Sequence, residues 1–263
     1  MNTVGSLSDF LNQLAPLSLS EDWDNTGLLV GNRDQPVAKL MTCLTVTEDV
    51  VCEAVQEGVD LIVSHHPMLF RATKKVTAAT AEGRMLLKLI TNGIAVYSPH
   101  TAFDSCRMGI NQRLAEALRL SKIQCLRSSD LAEHPGSGRW GDLAPGVVLS
   151  DFLKQVRRVV SADYLEFCGN LESVVSRVAV ACGSAAEFLE DAIGQGCDTF
   201  VTGEARFHSA LEAQAAGVNL ILVGHYESER PAVEWLASEI ESQVSGLQVM
   251  VSQRDLNPLQ LFS

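Results

Sequence analysis

Short apolar runs alternate along the chain with longer segments whose apolar residues recur every three or four positions, the pattern of strands interleaved with amphipathic helices. Leu7 to Leu14 predicts an opening helix, with Ser6 or Ser8 as its N-cap and Pro16 as its stop. A strand is expected around Lys39 to Val46, carried by Leu40, Leu44 and Val46, and then a helix over Glu48 to Glu57. Val59 to Val63 reads as a buried strand that runs into Ser64-His65-His66-Pro67. Ala79 to Asn92 repeats the helical pattern, with Met85, Leu86, Leu89 and Ile90 on one face and Asn92-Gly93 as the stop. Ile94 to Tyr97 is the next strand, leading into Ser98-Pro99-His100-Thr101-Ala102-Phe103-Asp104, and Gly109 to Leu118 is again helical. Strand, helix and strand joined by short links are the signature of parallel βαβ units.

Between about 128 and 145 the composition turns to serine, glycine and proline, which reads as a linker or loop with His134 exposed inside it. A second alternation follows: helix Leu149 to Val160, strand Arg177 to Ala181, helix Ala185 to Gln195, strand Asp198 to Val201, helix His208 to Ala216 and strand Asn219 to Val223. The last of these runs into Gly224-His225-Tyr226-Glu227-Ser228-Glu229 and a helix to Ile240. Gln248 to Ser252 gives a final strand, followed by a tail through Phe262 apolar enough to pack. In the polar stretch Glu21 to Gly27, Trp23 reads as an anchor for its own loop. The expectation is an α/β protein of two α/β lobes with mainly parallel sheets: residues 1–127 with 225–263 as the first lobe, carrying the metal ligands argued below, and 128–224 as the second.

Composition narrows the partners more than the fold. The 263 residues carry 46% hydrophobic and 20% charged positions, ordinary for a folded chain, and a formal net charge of -12. Long-range attraction to nucleic acid or an anionic membrane is therefore not expected. No window approaches the roughly 18 consecutive apolar residues a membrane span needs, and residues 1–31 lack the features of a signal peptide. Seven cysteines without a C-x-x-C pair argue for reduced thiols in a cytoplasmic protein and against a cysteine zinc site.

The chemistry gathers where strands end. Of six histidines, His65, His66, His100 and His225 each follow a predicted strand, the edge at which open α/β sheets bind their ligands. Adjacent histidines serve one site only if the backbone turns between them, and Pro67 favours such a turn. The bland alternative is a pair of unrelated surface histidines. Similarly, Glu227 and Glu229 suit the first turn of a helix for dipole reasons alone, which leaves His225 unexplained. Collected, His65, His66, His100, Asp104, His225 and Glu229 are too many nitrogen and oxygen donors for one tetrahedral zinc, and they suit two divalent metals. No Walker A sequence, G-x-S-x-G elbow or post-strand G-x-G-x-x-G supports nucleoside-triphosphatase, serine-hydrolase or dinucleotide-binding chemistry.

With these stretches assembled, the chain resembles a known family. Trp23-Asp24-Asn25-Thr26-Gly27-Leu28, Ser64-His65-His66-Pro67-Met68-Leu69-Phe70, His100-Thr101-Ala102-Phe103-Asp104 and Gly224-His225-Tyr226-Glu227-Ser228-Glu229 are similar, in order and spacing, to the signatures of the GTP cyclohydrolase 1 type 2 homologues, the dinuclear metal-centre hexameric proteins. The resemblance implies the short form of the family, without an inserted domain, and a metal site at strand C-terminal ends between the lobes. It implies His65, His66, Asp104, His225 and Glu229 as ligands of two divalent ions (zinc, manganese, iron or nickel), with His100 beside them as a proton-transfer or outer group. It implies opening of the GTP imidazole ring with formate release through a hydroxide bridging the metals, a nucleotide-like small-molecule substrate and a hexameric homo-oligomer. A non-catalytic metal-binding or scaffold protein acting through partners is the competing class. Thr202-Gly203-Glu204 with His208 looks like a further family feature, His208 being open between a packed and a site role. Thr45-Val46-Thr47 departs from the pattern, since many members carry an aspartate in that strand.

Overall fold

A computed structural model describes residues 1–128 and 136–260. His134 and Phe262, read above as exposed and packed, lie outside the described residues. In chain order the first elements are α1 (Val4–Leu14), β1 (Gly27–Val30), β2 (Lys39–Cys43), α2 (Glu48–Glu57), β3 (Leu61–Ser64), α3 (Ala81–Thr91), β4 (Ala95–Ser98), α4 (His100–Ser105) and α5 (Ile110–Ala117). They are followed by β5 (Ser121–Arg127), β6 (Ser137–Val148), α6 (Leu149–Val159), β7 (Glu166–Cys168), β8 (Val174–Ala181), α7 (Leu189–Gly194), β9 (Thr199–Thr202), α8 (Phe207–Ala216), β10 (Asn219–Leu222), α9 (His225–Gln243) and β11 (Gln248–Val251). The chain divides into two compact units, Met1–Phe103 with Ala232–Ser263, and Asp104–Pro231.

The first unit holds one sheet in the order β1-β4-β3-β2-β11. β4, β3, β2 and β11 pair in parallel, and β1 lies antiparallel at the edge. Its helices start where side chains can satisfy orphan amides. Thr47 accepts from the Val50 amide at the start of α2, and Gly58 ends that helix in a left-handed conformation with φ 64°. The cap of α1 is Thr3, in a reciprocal arrangement with Ser6, so the helix starts earlier than Ser6 or Ser8 would have set it. Met41, Ile62 and Val96 from three neighbouring strands pack with Val50, Val51, Ala54 and Leu89 from α2 and α3.

The second unit holds a six-stranded sheet, β5-β6-β8-β9-β10-β7. β8, β9 and β10 are parallel, whereas β5–β6, β6–β8 and β10–β7 are antiparallel. The mainly parallel sheet expected of this lobe is therefore mixed. The cause is β6, which occupies the second half of the stretch read as a linker: its glycines resemble loop composition, yet between Arg139 and Asp142 it pairs with β5 on one side and β8 on the other, and the β8 ladder resumes at Val147 after the interruption that contains Pro145. Strand alternation feeds two cores, Val178, Val180, Val201 and Ile221 to one face and Ala179, Ala181, Phe200 and Leu220 to the other.

The division also differs from the 1–127 plus 225–263 and 128–224 boundaries. α5 packs on β6 and β8, and β5 pairs with β6, which draws residues 104–127 into the second unit. Asp104, His225 and Glu229 consequently belong to the second unit, and His65, His66 and His100 to the first. The apolar tail does not pack as expected, because Leu256 and Leu259 are exposed.

Buried Arg139 on β6 locks the start of this unit. Nη1 donates to the carbonyls of Gly136 and Gly138 at 3.0 and 2.6 Å, and Nη2 to those of Ser105 and Cys106 at 3.0 and 2.9 Å, just beyond Asp104. Arg139→Met keeps the volume but strands these carbonyls in the interior. It should lower stability by roughly 3 kcal/mol or more in urea unfolding, since each unsatisfied buried polar group costs about 1–3 kcal/mol.

Candidate metal centre

In the first unit the histidines are set by backbone pairing that outlasts the strand. β3 ends at Ser64, where the chain bends, yet His65 N donates to Cys43 O at 3.0 Å and His66 N to Leu44 O at 2.8 Å. Ser98 Oγ holds the His65 carbonyl at 2.6 Å, and Ser64 Oγ holds that of His66 at 2.9 Å. The bend overcomes the opposite-face rule for neighbouring strand residues, and the two imidazole centroids lie 5.1 Å apart. His100 comes from the end of β4, in a left-handed conformation with φ 32° that a non-glycine residue adopts only when its surroundings enforce it. Its ring is 5.2 Å from that of His65, and nitrogens of His65, His66 and His100 lie within 4.8 Å of one another.

Outer hydrogen bonds orient two of these rings. Thr45 Oγ1 lies 2.7 Å from His66 Nδ1, so the residue that departs from the family pattern supports the ring; with Oγ1 accepting, Nε2 presents its lone pair. The backbone beside Thr45 is held by buried Asp255, whose carboxylate accepts from the Leu44 and Thr45 amides at 2.5 and 3.4 Å. His100 Nδ1 lies 2.8 Å from Asp24 Oδ1, while Asp24 Oδ2 accepts from Thr101 N at 3.2 Å and Thr101 Oγ1 at 2.5 Å. Burial pushes the Asp24 carboxyl upward, but the bonds from His100 and Thr101 outweigh it and hold the pKa below its ordinary value. An ionised Asp24 only accepts, so Nδ1 of His100 carries the proton and Nε2 is left as the working nitrogen.

In the second unit His225 opens α9 between two carboxylates. Nδ1 lies 2.5 Å from Glu204 Oε1, and Nε2 lies 3.2 Å from Glu229 Oε2 one helical turn on. The bond to Glu229 raises the His225 pKa first, against burial, and Glu204 adds to it, so the value is pushed up to about 9. Glu229 is buried, and the strand-end turn at Gly183 lies against it. Gly183 N donates to Ser228 Oγ at 2.9 Å, which in turn donates to the His225 carbonyl at 2.7 Å. Asp104 is placed by buried Asn111, which donates to the Asp104 carbonyl at 3.1 Å and accepts from Cys182 N at 2.8 Å. The Cys182 thiol is pushed well above its usual pKa by burial and then by the charges of Glu229 and Asp104.

The structure thus brings His65, His66 and His100 together in one unit, and His225, Glu229 and Asp104 into one region of the other. Three carboxylates that hold the site were given no role from the sequence: Asp24, Glu204 and Asp255. Asp24 lay within the Trp23-Asp24-Asn25 signature, and Glu204 within Thr202-Gly203-Glu204, whereas nothing local marked Asp255. Trp23 does not anchor its loop, being 61% exposed; Asp24 does that work from its buried carboxylate. His208 is exposed at the start of α8, with the ring of Phe207 5.9 Å away. The donors fit divalent ions: three converging imidazoles with outer partners on two of them, and an imidazole–carboxylate pair, His225 and Glu229, whose nitrogen and oxygen face a turn kept free of a side chain by glycine.

Residues 2–258 match the family model described as Duf34/NIF3 (NGG1p interacting factor 3). A GTP cyclohydrolase 1 type 2 homolog of Clostridium perfringens is 31% identical over 258 residues, covering 97% of this chain and 98% of that one. A Schizosaccharomyces pombe protein named NIF3 homolog is 32% identical over 275 residues, covering 98% of each chain. Among solved structures, the Staphylococcus aureus hypothetical protein SA1388 superposes with a TM-score of 0.89 at 27% identity over 99% of both chains. A Bacillus cereus protein related to NIF3 superposes with a TM-score of 0.90 at 22% identity over 100% of this chain and 99% of its own, which speaks to the fold.

The glycine turn is testable. Gly183 has φ +71°, and a Cβ there would collide with Glu229 Oε1 and lie 3.5 Å from His225 Nε2. Gly183→Ala should weaken zinc or manganese binding about 10–100-fold in titration calorimetry, the range seen when support around a ligand is lost. Gly194→Ala, with nothing within 4 Å of the added carbon, should bind metal as the wild type does.

Proposed function

The chain belongs to the Duf34/NIF3 family, and on that premise we propose that it is a dinuclear metal-dependent hydrolase acting on a small molecule. The observation that carries this reading is His100: an imidazole with its tautomer set by a buried, ionised Asp24, directed at two further imidazoles. We propose His65, His66, Asp104, His225 and Glu229 as the ligands of two divalent ions, drawn from zinc, manganese, iron or nickel. Bound there, the ions would supply an acidified water and charge stabilisation for a developing oxyanion. His100 Nε2 accepts the proton released when water adds to the substrate and returns it to the leaving nitrogen or oxygen, with Asp24 stabilising the imidazolium in between. Glu204 and Thr45 hold His225 and His66 in one ring orientation throughout.

The names of relatives supply the substrate to try first. Several are called GTP cyclohydrolase 1 type 2 homolog, so GTP ring opening with formate release is the specific reaction proposed, in the cytoplasm. The family description, NGG1p interacting factor, keeps a metal-binding partner protein as the second reading.

Protein purified without chelator should contain about two divalent ions per chain by elemental analysis, and Asp104→Ala and Glu229→Ala should lose them. In a metal-reconstituted screen of nucleotides, phosphoesters and cyclic amides, His100→Ala should lower turnover by roughly two to four powers of ten with metal retained, the range for one acid–base group. Equal rates for wild type and Glu229→Ala on every substrate would leave the partner-protein reading in its place. We further propose a hexamer, on the family resemblance, and light scattering at micromolar concentration should give six times the mass of the 28.4 kDa chain.

A further inference from the structure

Two large aromatic rings stand beside His100 without being packed. Trp23 is 61% and Phe70 52% exposed, although both belong to tied segments. Asp24 N donates to Glu21 O at 3.0 Å, Glu21 N donates to Thr101 Oγ1 at 3.0 Å, and the Asp24 carboxylate is buried against His100 and Thr101. Asn25 Nδ2 then donates to Leu69 O at 2.6 Å, joining the Trp23 loop to the residue before Phe70. Bonds on both sides of Trp23 hold its backbone while the indole points to solvent. A loop needing only an anchor would have turned this ring inward, where its burial stabilises.

The rings are arranged as an open corner. Trp23 meets Phe70 at 5.9 Å and 64°, Trp23 meets His100 at 6.1 Å and 79°, and Phe70 meets His100 at 6.4 Å and 85°. Such edge contacts cover little of each ring, and the exposures leave apolar faces open next to an imidazole set up for proton transfer. We propose that Trp23 and Phe70 form a stacking corner that receives a planar nitrogen heterocycle of the substrate and presents its polar edge to His100. A flat ring gains from the open faces through stacking, and its edge atoms find His100 as a hydrogen-bond partner; an aliphatic or purely ionic ligand would use neither aromatic ring. The inference rests on the hydrolytic reading for the role of His100, and it adds the class of group recognised.

Guanosine is the probe, because without phosphates it isolates the ring from metal binding. Trp140 and Trp235 are partly buried, so Trp23 should dominate quenching. Guanosine should quench the fluorescence of the full-length protein saturably, and ribose should not. Phe70→Leu and Trp23→Leu, which keep apolar bulk and should keep the circular dichroism of the wild type, should each raise the guanosine Kd by equilibrium dialysis roughly 5- to 150-fold, the range for losing one base-stacking ring. Equal guanosine affinity in wild type and both variants, binding of ribose as tight as guanosine, or no guanosine binding at millimolar concentration would overturn the proposal. So would variants that break the assembly in light scattering while binding guanosine normally, which would make the corner a contact between copies. Ring-dependent guanosine binding with no turnover of any substrate would support the corner and remove the hydrolase; turnover of a nucleotide with KM unchanged in both variants would do the reverse.

Discussion

The parallel register of β2, β3 and β4 is the constraint on which the first unit's chemistry hangs. Cys43 stands opposite Ser64 and Val63 opposite Tyr97, so the three strands finish level at one edge. What each strand carries just beyond its end, Thr45, the His65-His66 pair and His100, is therefore delivered to the same place. A slip of one residue would turn every side chain to the opposite face and scatter the three imidazoles. The amides of His65 and His66 continue the pairing with β2 after the regular strand has ended, which keeps a bent segment in register.

Both units then use the same device on the histidines so delivered. A carboxylate stands behind an imidazole, Asp24 behind His100 and Glu204 behind His225, and fixes which ring nitrogen faces outward. The supports are themselves supported: Asp24 by Thr101, the His225 carbonyl by Ser228, and the end of β2 by Asp255. Buried polar groups of this kind stabilise only when every partner is made, and an unmade one costs about 1–3 kcal/mol. Geometry at the site is thus secured by the same bonds that secure the fold around it.

The functional reading and the fold meet at His100. Its left-handed backbone, its bond to an ionised carboxylate and its two neighbouring imidazoles are three independent features meeting at one residue. Trp23 and Phe70 add exposed aromatic rings within 6.1 and 6.4 Å of the same imidazole.

Periodicity along the chain sufficed for most helices and for the buried parallel strands, because burial on one stripe or on both faces is written in the spacing of apolar residues. Residue type and position after strands likewise singled out the three imidazoles that converge in the first unit and the His225–Glu229 pair of the second, since open sheets gather polar chemistry at their carboxyl ends. Composition failed at β6, whose glycine- and proline-containing sequence looks like a linker: what makes it a strand is pairing with β5 and β8, partners that no local window contains. It failed likewise at the unit boundaries, which depend on where α5 packs. Which carboxylate orients which histidine was also invisible, because Asp24 and His100 are 76 positions apart and Leu44 and Asp255 are 211 apart. Hydrogen bonds between residues so distant in sequence exist only once the chain has closed the loops between them, so local pattern determined most elements and which imidazoles and carboxylates follow the strands, and tertiary structure alone decided their orientation.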